Sequence, residues 1–176
     1  DMDSRDILTI KGLIRRGEAR TASSYNNIPL DRVHFLDLPF YETGKIQKNP
    51  ISEADVEIVR NLLREVKPHQ IFVAGDLADP HGTHRVCTDA VFAAVDLEKE
   101  EGAKWLKDCR IWMYRGAWAE WEIENIEMAV PISPEELRAK RNSILKHQSQ
   151  MESAPFLGND ERLFWQRSED RNRGTA

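Results

Sequence analysis

Four side chains able to ligate a metal or move a proton fall within nine positions of one another: Asp76, Asp79, His81 and His84, in Gly75-Asp76-Leu77-Ala78-Asp79-Pro80-His81-Gly82-Thr83-His84. The spacing of three between His81 and His84 lets both imidazoles face one point if the turn is helical. A helix opening just after them would carry partial positive charge at its N-terminus, which disfavours imidazolium and favours the neutral, ligating form. A catalytic zinc takes three protein ligands and keeps a fourth position for water, so this loop would have to supply two histidines and an aspartate. The plainer reading stands beside it: Asp79 caps the next helix and the histidines are ordinary polar loop residues.

The elements that must hold this loop can be read from periodicity. Residues 71–74, Ile-Phe-Val-Ala, form a short apolar run bounded by polar residues, which fits a buried parallel strand. The loop therefore leaves a strand's carboxyl end, where open α/β sheets bind ligands. Val86 to Leu97 reads as the helix after it. Upstream, residues 4–25 carry apolar side chains at helical spacing, read as one or two helices; 33–38 is an apolar run read as a strand; 41–50 is a loop rich in breakers. Ser52 with Asp55 three residues on, followed by Ile58, Val59, Leu62, Leu63 and Val66, marks a helix that Pro68 stops. Downstream, 111–114 and 126–130 read as two further strands, a hairpin at the sheet edge, with Trp118 and Trp121 in the polar connection. Ser133, Pro134 and Glu136 form a capping-box start for a helix reaching His147 or Gln150. A last short helix over 161–169 precedes a polar tail, 170–176, expected to fray. Helices alternating with strands predict an α/β fold with a largely parallel sheet and helices on both faces.

The remaining candidates carry weaker signals. His34 and His69 sit beside strand starts and read as surface residues. His147, with Ser149 and Gln150, falls at a helix end, where a cation is favoured in any case. Of Trp105, Trp112, Trp118, Trp121 and Trp165, only Trp118 and Trp121 suggest a sugar-facing role; the others suggest packing. No Gly-rich phosphate loop, serine elbow or CxxC is present.

The bulk properties narrow the classes. The chain has 176 residues, 25 basic and 30 acidic side chains and a formal charge of −5, with 40% apolar and 31% charged residues. It can bury a core, and it has no basic block of the kind that displaces counterions from nucleic acid. No apolar run approaches the roughly 20 residues of a membrane span. Cys87 and Cys109 suit a reduced, cytoplasmic protein. The opening Asp1-Met2-Asp3 suggests that something precedes it, and a single domain over 1–176, truncated at its N-terminus, is the expectation.

At Asp79-Pro80-His81-Gly82-Thr83-His84 the chain resembles the LmbE-like (PIG-L) N-deacetylases, zinc hydrolases that remove acetyl groups from N-acetylglucosamine-type sugars. Arg15-Arg16-Gly17-Glu18-Ala19 resembles that family's RRxEA helix, and His147-Gln148-Ser149-Gln150 resembles its HxSQ element. The wording GDLADPHGTH with FWQRSEDRNR is similar to the C-terminal, LmbE-like half of bacterial proteins called glucosamine-6-phosphate deaminases, in which a deaminase domain is fused upstream. The resemblance implies a Rossmann-like three-layer fold lacking its N-terminal strand. It maps the family's HPDH motif onto His81 through His84, making His84 a zinc ligand and His81 the group that polarises the acetamide carbonyl; Gly82-Thr83 replaces the family's Pro-Asp. The AHPDD motif, which would supply two more ligands and the general base, has no match here and would lie upstream.

The expected catalytic residues are thus His81 and Asp79, the metal ligand His84, and the substrate-binding residues His147 and Trp118. The expected cofactor is zinc in the complete domain and weakly held or absent in this chain, which should then be inactive. The expected partners are an amino sugar, a fused or upstream glucosamine-6-phosphate deaminase domain and further copies of the chain, with neither nucleic acid nor membrane. A second reading is a non-catalytic sugar-sensing or interaction domain regulating the fused deaminase. A third is a metal-free hydrolase using His81, Asp79 and Ser149.

Overall fold

A computed structural model of the chain describes residues 4–41, 48–75, 82–115, 121–151 and 161–175. In chain order the elements are α1 (Arg5–Tyr25), α2 (Glu53–Val66), β1 (Gln70–Ala74), α3 (Thr83–Glu100), β2 (Arg110–Tyr114), α4 (Pro134–Ile144) and α5 (Phe164–Thr175). Short 3-10 turns lie at Leu30–Arg32, Lys104–Asp108, Ile123–Asn125 and Gln148–Gln150. The chain divides into two units, Leu36–Trp121 and the joined segments Asp1–Phe35 and Glu122–Ala176. No helix among the described residues is long and apolar enough to cross a membrane.

In the unit Leu36–Trp121, β1 and β2 pair in parallel, with Gln70 opposite Arg110 and Ala74 opposite Tyr114. Parallel neighbours cannot be joined by a tight turn, so the chain crosses over through α3. This helix packs on α2, where Val56, Val59 and Leu63 meet Ala90 and Ala94, and Leu36, Leu38, Ile51, Ile71 and Trp105 close round them. Two alanines with no exposed surface let the helix axes approach closely. The capping box expected at Ser52 and Asp55 is present. Its aspartate does more than cap: fully buried, Asp55 accepts the amide protons of Phe40 and Ser52, both at 2.8 Å, and the Ser52 hydroxyl proton. At the other end Lys67 takes a left-handed conformation, φ +48°, before Pro68.

An ion network spans the same pair of helices. Glu98 of α3, 3% exposed, accepts from the Nε atoms of Arg60 and Arg64 of α2, each at 2.6 Å. Glu101 takes a terminal nitrogen of each arginine, at 2.5 and 2.6 Å. Cys87 and Cys109 are both free thiols.

In the other unit, α1 is one unbroken helix whose C-terminal half lies against α4. Tyr25 Oη meets Asn142 at 3.0 Å and Asn26 donates to Ser143 Oγ at 2.7 Å. The capping box at Ser133 and Glu136, with Pro134 in the first turn, opens α4 as its sequence requires.

Several expected elements differ. Residues 33–38 form no strand: Asp37 stands at φ +50°, which ends an extended run, and Leu36 and Leu38 turn onto the α2–α3 core instead. Residues 126–130 form none either. Ile126 closes a 3-10 turn through its amide to Ile123 O, and Val130 is 72% exposed with no ladder neighbour. The edge hairpin is therefore absent from the described residues, whose sheet has two strands and is mixed with helices in an α/β manner. The α4 helix stops at Ile144, three residues short of His147. The last helix starts later and ends later than expected, at Phe164 and Thr175. Ion pairs hold its polar end: buried Glu169 accepts from Arg141, Asp170 from Arg162 at 2.9 Å, and Lys140 reaches Asn172 at 2.7 Å.

Burial by itself opposes the charge on Asp55 and Glu98. It is outweighed at Asp55 by the donors Ser52 and Phe40, and at Glu98 by Arg60 and Arg64, so both carboxyls sit below their ordinary range. A depressed folded-state pKa contributes stability above the unfolded value, and that stability is lost as acid lowers the pH through the folded one. The urea midpoint should therefore hold near neutrality and fall below about pH 4. Glu98→Ala, which strands two arginines, should cost about 3–5 kcal/mol in urea unfolding. Glu135→Ala, which removes only the exposed pair with Arg138, should cost less than about 1 kcal/mol.

Candidate functional site

At the carboxyl end of β1 the ladder runs one residue past the strand: Gly75 N–H donates to Tyr114 O at 3.0 Å. A Cβ at Gly75 would come within 2.5 Å of the Trp121 ring and 2.7 Å of Tyr114 O, so only glycine fits this approach. Trp121 is thus packed over the end of β1, and its carbonyl accepts from Arg115 Nε at 2.8 Å. Thr88 ties the following helix to the same place through Oγ1 to Ala74 O, 2.9 Å. The sequence marked Trp121, with Trp118, as a candidate for a sugar-facing role; nothing in it pointed to the packing of this indole on Gly75.

Asp76, Asp79, His81 and Trp118 lie outside the described residues. His84 is described: it is the second residue of α3 and exposed, and the N-cap residue before that helix, Gly82, has no side chain with which to cap it. That places it at the positive end of a helix, as expected from the sequence. Gly82, which precedes Thr83, holds φ +69°, and a Cβ there would meet nothing within 4 Å. The conformation explains the residue. Proline is locked near φ −65°, so the family's HPDH backbone could not be laid on this turn unchanged.

The described residues do not by themselves fit a zinc ion. No three His, Cys, Asp or Glu side chains among them converge to hold a metal, and His84 is the one member of the Asp76–His84 cluster that falls within the described part. His34 and His69 are both exposed, as read from the sequence, and His69 contributes its carbonyl to Arg110 N–H at 2.8 Å.

The second centre lies in the other unit and joins two motifs far apart in sequence. Glu18, from the RRxEA stretch of α1, accepts both the amide proton and the hydroxyl proton of Ser149, each at 2.6 Å. Half-buried His147 heads the 3-10 turn that presents Ser149. Desolvation alone would raise the Glu18 carboxyl. The two bonds from Ser149, with His147 and Arg15 nearby, outweigh it and hold the group below its ordinary range. Arg16 and Arg20, one turn apart on α1, stack on the Phe35 ring at 5.6 and 5.5 Å.

Beside α4, Asn26, Glu136, Ala139, Lys140, Ser143 and Ile144 line a cavity of about 320 Å³. Burial, with the charge of Arg171, pushes the Lys140 ammonium down. Trp165 lies under the Arg141 guanidinium at 4.6 Å, and Trp105 packs on the α2–α3 core, which bears out the packing role read for these indoles.

Gly75→Ala should destabilise the protein by about 1–3 kcal/mol, the range for overpacking a close contact. Gly12→Ala in α1, where nothing lies within 4 Å, should stabilise it by about 0.5–1 kcal/mol. Thermal unfolding of the two variants side by side reads both signs.

Known proteins resemble the chain in two ways. The family model described as PIG-L, GlcNAc-PI de-N-acetylase, matches residues 3–95. Over all 176 residues the chain is 99% identical to a protein of Bacteroides thetaiotaomicron named glucosamine-6-phosphate deaminase-like. That match covers 100% of the chain and 26% of the Bacteroides protein, so the chain spans about a quarter of that relative's length. No solved structure matches.

Proposed function

The chain belongs to the PIG-L, GlcNAc-PI de-N-acetylase, family, and from that premise we propose that it is one LmbE-like domain, residues 1–176, of a larger cytoplasmic protein that removes acetyl groups from N-acetylated amino sugars. The observation that carries this is the position of Gly82-Thr83-His84, opening α3 directly after the carboxyl end of a parallel strand. That is where α/β folds gather ligands, and the family match runs through it.

In this reading His84 is a metal ligand, His81 and Asp79 are the catalytic pair, and Trp118 and His147 bind the sugar. Zinc belongs to the complete protein. In this reading its remaining ligands come from an AHPDD-like motif upstream of these residues; among the described residues no three His, Cys, Asp or Glu side chains converge to hold a metal. What this chain contributes on its own is order. Glu18 clamps Ser149 and so fixes the turn that carries His147; Thr88 pins α3, and with it His84, to the end of β1. The Rossmann-like three-layer architecture belongs to that larger whole, as does the deaminase domain that the relative's name suggests.

A second reading is favoured by one observation. The left-handed Gly82 departs from the family's HPDH backbone, which suits a domain that has kept the sugar site and lost the hydrolysis, sensing amino sugars for a fused glucosamine-6-phosphate deaminase.

Elemental analysis of this chain and of the longer Bacteroides protein, both purified without chelator, tests the proposal together with an assay of acetate released from N-acetylglucosamine 6-phosphate and its unphosphorylated parent. The expected result is about one zinc per longer chain, almost none in the 176-residue chain, and acetate from the longer form alone. No zinc and no acetate from either form, with sugar binding retained in calorimetry, would overturn the de-N-acetylase and leave the sensor.

A further inference from the structure

The cavity beside α4 holds a charge without a counter-charge. Glu136, Ala139, Lys140, Ser143 and Ile144 follow one another at the spacing of a single helix face, and Asn26 closes it from the end of α1. All its walls belong to the unit formed by Asp1–Phe35 and Glu122–Ala176. A packing face at that spacing is ordinarily apolar. This one carries an ammonium, a carboxylate and a hydroxyl among its aliphatic groups, the mixture found in ligand sites. Lys140 is half-buried, and its hydrogen-bond partner among the described residues is the neutral Asn172 Oδ1, 2.7 Å away. The carboxylates around it are engaged elsewhere. Glu136, four residues earlier and the usual helical partner, turns back to Ser133 N–H at 2.6 Å. Glu169 pairs with Arg141 and Arg173, and Asp170 with Arg162 and Arg173. Burial and the nearby charge of Arg171 both work against the ammonium. A partly desolvated cation is costly alone and is relieved by an anion. Ser143 supplies a second donor: its oxygen accepts from Asn26 Nδ2 at 2.7 Å, and its own proton goes to no described residue.

We infer that this cavity binds a small phosphate monoester, with Lys140 and Ser143 on the phosphate and the carrier lying along Ala139 and Ile144. The volume, about 320 Å³, stands at the lower end of small-molecule sites and exceeds what a lone oxyanion fills. A lysine beside a hydroxyl, a compact charge with rotatable donors, suits a phosphate; a carboxylate is better met by the flat fork of an arginine. Glu136 sets the polarity of the site. Its carboxylate disfavours a bare anion at its own end of the cavity and favours a ligand whose far end offers hydroxyl groups. The inference goes beyond the de-N-acetylase reading and does not depend on it, because none of the residues given to that chemistry lines the cavity.

Calorimetric titration of the 176-residue chain and of the longer Bacteroides protein with ribose 5-phosphate, ribose and inorganic phosphate is the test, with two-dimensional NMR of the shorter chain to locate the site. Ribose 5-phosphate should bind both proteins and shift the amides of residues 26 and 136–144. Ribose should not bind, and inorganic phosphate should bind at least about tenfold more weakly than the ester. Lys140→Met should weaken ribose 5-phosphate at least about tenfold, and Ser143→Ala about threefold to tenfold, the loss of one donor in each case. Lys140→Arg, which keeps the charge, should restore most of the binding. Lys146→Met, whose ammonium lies over the Tyr25 ring and outside the cavity, should change nothing. Thermal unfolding separates lost binding from lost folding: without ligand the midpoint of Lys140→Met should equal or exceed that of the parent chain, and ribose 5-phosphate should raise the parent's midpoint alone. No binding to either protein, binding that Lys140→Met leaves intact, shifts centred elsewhere, or inorganic phosphate held as tightly as the ester would overturn the inference. So would binding to the short chain alone, which would mean that the longer protein covers the cavity.

Discussion

A parallel strand pair cannot close on itself with a tight turn, and the unit that carries the candidate loop is built round that constraint. The chain must leave β1, cross over and return to β2, and α3 is the crossing. Its placement is set on three sides by different kinds of interaction. Ala90 and Ala94 set how near it lies to α2. The carboxylates of Glu98 and Glu101 set its register along Arg60 and Arg64. Thr88 sets the distance from its first turn to the end of β1. His84 inherits its position from all three, four residues upstream of Thr88 on the same face of the helix. Apolar packing alone would let one helix slide on another by a turn; charged groups facing each other across the seam make such a slip costly, because a misplaced guanidinium would be left buried without a carboxylate.

The features that could be read from the sequence are those decided within a few residues. Ser52 with Asp55 and Ser133 with Glu136 are reciprocal caps, and both form where they were expected. The apolar runs at 71–74 and 111–114 became β1 and β2. What escaped was decided by partners. Residues 33–38 and 126–130 have strand composition, but a strand exists only against a neighbour, and a left-handed Asp37 and a 3-10 turn at Ile126 settle those segments otherwise. The tail after Glu169 looked too polar to stay helical because its stabilisation comes from side chains some 30 positions away, Arg141 and Lys140. At the site the contrast is the same. The start of a helix near His84 was legible, though it begins at Thr83 rather than Val86; the bond between Glu18 and Ser149, 131 residues apart, was not. Nor was the need for glycine at Gly75, which depends on where Trp121 comes to rest.

The two centres differ in what they demand of the chain. Around His84 the demand falls on the backbone: Gly75 must admit an indole, and Gly82 must turn left-handed to start α3. A substitution at either changes the path of the chain before it changes any functional group. Around His147 the demand is electrostatic. Glu18 anchors the turn by accepting the amide and hydroxyl protons of Ser149, and those bonds hold its carboxyl below the ordinary range.

The unit Leu36–Trp121 is held chiefly by its helix pair. Among the described residues its sheet has two strands, on which Phe72, Met113 and Tyr114 are exposed by 57, 41 and 51%. Two-stranded sheets are marginal without further strands or a covering layer, and β1 and β2 show composition suited to burial on both faces. In this unit the α2–α3 seam, with its buried ion network, therefore carries stability that a wider sheet would ordinarily share. A domain held by one helix pair has little reserve, since the loss of a single buried carboxylate removes several kcal/mol from a total of about 5–15. The part that folds round α2 and α3 is also the part that holds His84.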